Sequence, residues 1–188
     1  MIKDLILRNR SYRRFDQSVA IDRQTLMELV DLARCSASAG NRQPLKYILS
    51  ATPEKNARIF PQLAWAGLLK DWKGPAEGEK PAAYIIILGD KEISGSFGVD
   101  HGIAAQSILL GAVERGLGGC MIGNVRKDEL RKSLEIPERY EILLAIALGK
   151  PGEKVVLETV GTNGDTSYSR DSSDVHHVPK RRLEEIVL

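Results

Sequence analysis

The sequence predicts a layered α/β or α+β domain, and three observations carry that reading. Residues 84–88 form a continuous apolar run, the pattern of a strand covered on both faces. Residues 102–115 form a helix apolar on most sides, with Ile103, Ala104, Ile108, Leu109, Ala112 and Val113 spread around it, as in a central helix. Helical and strand-like segments alternate along 188 residues, a length that suits a single domain, 1–188.

The elements follow in order. Ile2, Leu5 and Ile6 lie at helical spacing. Asp22 is an N-cap for a helix carrying Leu26, Leu29, Val30 and Ala33 at i, i+3, i+4 and i+7. Residues 36–41 are turn-forming, and 45–51 read as a strand. Thr52-Pro53-Glu54 then gives an N-cap with Pro at the first helical position. Lysine, glycine and proline in 70–81 mark a surface loop before the apolar strand at 84–88. After the central helix, 116–123 is a short strand set in glycine; a charged amphipathic helix at 127–134 precedes a last strand at 142–148. Residues 158–177 are polar and aperiodic, so they are either disordered or an arm held by a partner subunit. Leu183, Ile186 and Val187 return to helical spacing.

Composition narrows the function. Apolar residues make up 43% and charged residues 28%, which argues against disorder, and no apolar run approaches the ~20 residues of a membrane span. The start of the chain has no signal-peptide pattern, so a soluble, cytoplasmic protein is expected. A net charge of +2 gives no general attraction to nucleic acid or membranes. The charge is nevertheless clustered: Arg8, Arg10, Arg13 and Arg14 near one end, Lys180-Arg181-Arg182 near the other. Cys35 and Cys120 stand alone with no metal-ligand spacing, and both read as small buried residues.

Four segments carry chemistry. If the first helix continues through residues 9–15, Arg10, Arg13 and Arg14 share one face with the Ser11 hydroxyl among them, the donors a phosphate needs; the bland alternative is a solvated arginine face. In residues 38–44, Asn41 and Gln43 can meet the edge of a planar heterocycle, with Pro44 keeping Gln43 extended; alternatively Gly40 or Asn41 is only a helix C-cap. The glycines of 116–123 follow a helix and enter a strand, the wrong order for a dinucleotide fingerprint. They let backbone approach something flat or permit close packing. Lys180 and Arg182 alternate, so they can point the same way on an extended chain. His101 reads as a helix-opening or core histidine, and His176-His177 as part of a solvated loop. With phosphate-binding donors but no nucleophile or acid–base pair, the chemistry falls to a cofactor, and no side chain is assigned as catalytic.

Together these four segments resemble the nitroreductase family of FMN-dependent oxidoreductases, over essentially the whole chain. The resemblance implies an α+β fold with a mainly antiparallel central sheet flanked by helices. It also implies a homodimer whose extension, 158–188, contacts the partner subunit, and FMN at the interface reduced by NADH or NADPH in a ping-pong cycle with a nitroaromatic or quinone acceptor. Carried over by position, Arg10, Ser11 and Arg13 form the first FMN segment, and Lys180 and Arg182 the C-terminal phosphate pair. Ser38, Asn41 and Gln43 meet the ring, and Ile122 with Gly123 contacts its other side. The sequence departs from the family pattern at Asn9, where an arginine is usual, at Ala37 in place of proline, and at Leu45 in place of tryptophan. Trp65 and Trp72, in a variable loop, are expected to shape the substrate pocket. The alternatives are a flavin-binding sensor without turnover and a nucleic-acid module using the terminal basic patches.

Overall fold

The computed structural model describes residues 1–188, and helices and strands alternate along them. Helix α1 (Ile2–Arg8) leads to the short β1 (Phe15–Asp16) and then α2 (Arg23–Arg34), whose N-cap Asp22 accepts the Thr25 N–H as expected. Next come β2 (Leu45–Ser50), α3 (Pro53–Ile59) capped by Thr52, β3 (Ala83–Asp90) and α4 (Asp100–Glu114). The remainder is β4 (Gly118–Ile122), α5 (Lys127–Leu134), β5 (Tyr140–Pro151), β6 (Val155–Thr159), β7 (Ser169–Arg170) and β8 (His176–Lys180).

The fold is α+β. The main sheet is antiparallel throughout: β2 pairs β3, β3 pairs β5, and the other edge of the long β5 receives β4 and β1. All eight residues of β3 are buried, as a run apolar on both faces requires. Alternation splits its side chains. Ile85 and Ile87 pack with α2 and α4 on one face, while Tyr84, Ile86 and Leu88 meet Ile59 of α3 and Leu130 of α5 on the other. Burying an isoleucine contributes about 1.5–3 kcal/mol, so these two layers dominate the stability of the sheet.

The structure departs from the sequence expectations at four places. The first helix stops at Arg8, because Asn9 turns extended (φ −73, ψ 97), so the arginine segment is not helical. Of the two readings of 158–177 the disordered one does not hold: β6, β7 and β8 form a second, three-stranded sheet, with β6 and β8 parallel. Its lack of period reflects short strands joined by tight Asx turns rather than absent structure. The final segment makes only a single 3-10 turn at Leu183–Glu185, with Leu183, Ile186 and Val187 exposed. Cys120 is buried as expected, but Cys35, just past the end of α2, is exposed. No helix is long and apolar enough to cross a membrane.

Candidate functional site

Once α1 ends, the chain from Asn9 runs extended beside β4: Ser11 bridges Gly119 in parallel, and the Tyr12 N–H donates to the Gly119 carbonyl at 3.0 Å. Glycine is required for this approach. A Cβ on Gly119 would sit 2.5 Å from the Ala147 carbonyl oxygen, and one on Gly118 would sit 2.5 Å from the Tyr12 ring. Gly123, by contrast, has nothing within 4 Å of its would-be Cβ and faces open space. Close packing and open backbone therefore both occur in the glycine run, at different glycines.

A cavity of about 230 Å³ opens where this segment meets α4, β4 and the small sheet. Arg10, Ser11 and Arg13 line it from one end of the chain and Lys180 from the other, with Gln106 and Asn9 adding neutral donors. No carboxylate lines it. The Arg10 guanidinium donates to the Ile6 carbonyl at 2.7 Å, and its Nε is buried with no partner in the protein. Burial lowers the Arg10 pKa, the direction expected for a cation awaiting a counter-charge. Three cations, a hydroxyl and an orphaned N–H suit a phosphate dianion.

Arg13 is held from several sides. Its guanidinium lies 4.9 Å from the centre of the Tyr168 ring and 3.3 Å from both the Ser11 carbonyl and His176 Nε2. An imidazole that accepts from a guanidinium at Nε2 carries its proton on Nδ1. Burial and then the Arg13 charge hold the His176 pKa below its ordinary value, consistent with that neutral ring. Glu153, at the turn after β5, accepts the backbone N–H groups of Arg13 at 2.5 Å and Arg14 at 3.1 Å and pairs with Arg170 at 2.7 Å. Arg14 points elsewhere, to Asp174 and Glu79, so the three arginines do not share a face.

Arg13, Met121 and Tyr168 also border a second cavity of about 160 Å³, formed by residues 64–67 and 120–124. Ile122, Gly123 and Trp65 line this compartment, where burial pushes the Cys120 thiol pKa up. Trp65 thus faces the predicted pocket. Trp72 does not line it; its ring is covered by Arg170 and Arg14, with the guanidinium carbons 4.8 and 5.9 Å from its centre.

Ser38, Asn41 and Gln43 lie elsewhere. Their loop packs on Asp100 at the start of α4, whereas the cation cavity meets that helix at Gln106 and Leu109, about 9–13 Å further along the axis. The loop is not a helix C-cap, since α2 ends at Arg34. Nor does Pro44 keep Gln43 extended: Gln43 has φ +50, because its N–H is drawn back to the Ser38 hydroxyl at 3.0 Å. Arg182 is exposed at the start of the last turn and does not line the cavity.

Sequence reasoning missed Tyr168, His176 and Glu153. Tyr168 is a lone aromatic in a polar stretch, and aromatics there were the available signal. His176 is 1% exposed in β8, not in a solvated loop, because β8 is the central strand of its sheet.

The model of the family described as "Nitroreductase family" matches residues 6–150. "Putative NAD(P)H nitroreductase YodC" of Bacillus subtilis is 25% identical, covering 78% of this chain and 88% of its own. Among solved structures, a nitroreductase family protein from Clostridium novyi NT superposes with a TM-score of 0.67 at 25% identity, over 80% of this chain and 86% of that one. An FMN-dependent nitroreductase from Clostridium difficile R20291 gives 0.66 at 24%, over 82% and 89%. The antiparallel sheet, the extended arginine segment against β4 and a match spanning most of the fold agree: this chain belongs to the nitroreductase family.

Proposed function

We propose that the protein is an FMN-dependent oxidoreductase that takes electrons from NADH or NADPH and passes them to a small electron-poor acceptor such as a quinone or nitroaromatic. One observation carries the reading: three cations from opposite ends of the chain line one acid-free cavity, and that cavity borders a compartment walled by the open backbone at Gly123. In this reading Arg10, Ser11 and Lys180 hold the phosphate. Arg13, at the junction, neutralises charge at the ring, and Ile122 and Gly123 offer backbone to it. FMN, when bound, supplies the two-electron carrier. The chain's own residues bind, orient and shield it, and no side chain need exchange a proton with substrate.

Because the loop of Ser38, Asn41 and Gln43 packs at the far end of α4 from the cavity, in this reading it meets the ring from a second copy, in a homodimer with composite sites. Exposed apolar residues are consistent with that: Ile2, Ile6 and Leu7 on α1, and Leu183, Ile186 and Val187 at the tail. The tail also carries Glu184 and Glu185, while the free edge of β2 borders a groove of about 520 Å³ flanked by Arg23, Lys46 and Lys55, with Arg34 there paired to Asp31. Extension 158–188 is proposed to reach the partner through this tail. Arg182 is assigned no contact.

The test is direct. Purified protein incubated with FMN should become yellow, bleach anaerobically on adding NADH or NADPH, and reoxidise with a quinone. Protein that takes up no FMN refutes the reading; protein that binds FMN but never bleaches is a flavin-binding sensor.

A further inference from the structure

We propose that Asp100 is a positioning residue that fixes the backbone from which Asn41 and Gln43 present their carboxamides to the flavin ring. The flavin part rests on the function proposed above; the anchoring part stands on the geometry alone.

Asp100 is 3% exposed, and a buried carboxylate needs donors. It takes two from the loop: the Ser38 hydroxyl at 2.6 Å and the Ala39 N–H at 3.0 Å. An ionised carboxylate only accepts, so the Ser38 proton is committed to Asp100 and the Ser38 oxygen is left to accept. It accepts the Gln43 N–H at 3.0 Å, and Gln43 Nε2 closes the loop on the Asn41 carbonyl at 3.3 Å. The Ser38 hydroxyl is therefore used on both sides, by Asp100 of α4 and by the Gln43 N–H, and its role is to tie the loop to that helix.

This chain of bonds matters because the backbone it holds is unfavourable. Gly40, Asn41 and Gln43 have φ of +58, +52 and +50. Glycine tolerates this, but Gln43 does not readily, and the residue before a proline ordinarily prefers extended backbone. Such conformations persist only where their surroundings dictate them, and they concentrate where geometry serves function. Asn41 and Gln43 are exposed while Pro44 behind them is buried; with Gln43 Nε2 turned back on the Asn41 carbonyl, the strained turn leaves the Asn41 carboxamide and Gln43 Oε1 free on a fixed base.

Asp100→Asn keeps the volume but offers one acceptor where two are needed, and Ser38→Ala breaks the relay. In the flavin-free chain, amide hydrogen exchange at Ala39 and Gln43 should accelerate at least about tenfold in Asp100→Asn. In the FMN-loaded enzyme, the rate of flavin bleaching at saturating nicotinamide should fall by roughly tenfold in each variant, with a shifted flavin absorption band. FMN affinity should change less than about threefold, since the phosphate cavity is untouched, and the double variant should be little slower than either single one. Variants that lose thermal stability but keep the wild-type bleaching rate and band would show that Asp100 only stabilises the fold. Unchanged exchange at Ala39 and Gln43 would overturn the anchor itself. Wild-type protein that takes up no FMN overturns the ring-facing role together with the proposed function, and the exchange result then still decides the anchor.

Discussion

Lys180 and Arg10 meet although 169 residues of chain lie between them, and each brings a charge that the protein itself leaves unopposed within the cavity. Charge-assisted hydrogen bonds contribute about 1.5–3 kcal/mol each, so Lys180→Ala or Arg10→Ala should weaken FMN binding about ten- to hundredfold. Titration of the apoprotein by flavin fluorescence measures this, and the loss should shrink as salt is raised. Glu153 is the residue on which the site's geometry converges, since it secures the arginine backbone and Arg170 at once. With both side chains of that ion pair almost fully buried, Glu153→Ala leaves a guanidinium uncompensated. A loss of about 3–5 kcal/mol is expected, read as a lower midpoint in urea.

The elements differ in what they contribute. In β3, Ile86→Ala opens a cavity in a fully buried layer and should cost about 2–5 kcal/mol. The small sheet depends instead on two adjacent histidines of opposite behaviour. His177 bridges Glu158 of β6 at 2.5 Å and Asp171 at 3.1 Å, and those carboxylates raise its pKa above the ordinary 6.5. Its contribution is full below pH 6.5 and disappears as pH rises through the raised folded value. His176, buried beside Arg13 with Glu153, Arg170 and His177 nearby, is shifted down; its contribution is full above pH 6.5 and is lost as pH falls through the lowered value. Protection of the β8 amides, taken relative to the intrinsic exchange rate at each pH, should therefore be greatest between those two values and fall on either side, and His177→Gln should remove only the alkaline limb. Most of the main sheet was legible in the sequence because buried strands and capped helices leave local marks: the apolar run at 84–88, Asp22, Thr52-Pro53. The small sheet left none. Its strands are two to five residues long, too short to show a period, and are held by pairing with one another and by turns rather than by an apolar run.

At the scale of the whole molecule, the candidate site residues divide into those that line the two adjoining cavities and those that do not. Arg10, Ser11, Arg13, Lys180, Ile122 and Gly123 are brought to two adjoining cavities, and the sequence marked them through clustered charge and glycine. Ser38, Asn41 and Gln43 were equally visible as a motif, yet no local pattern told that their loop packs on Asp100, away from the cation cavity. If the proposed homodimer is right, light scattering should give twice the chain mass, and deleting residues 183–188 should shift the protein toward monomer and release flavin together. The family match ends at residue 150, while Tyr168, His176 and Lys180 enter the cavity from beyond it. A ligand that bridges Arg10 and Lys180 ties the end of β8 to the arginine segment, so an occupied molecule should resist trypsin at Lys180 longer than an empty one. Proteolytic lifetime would then gauge how much of the population is charged with its ligand.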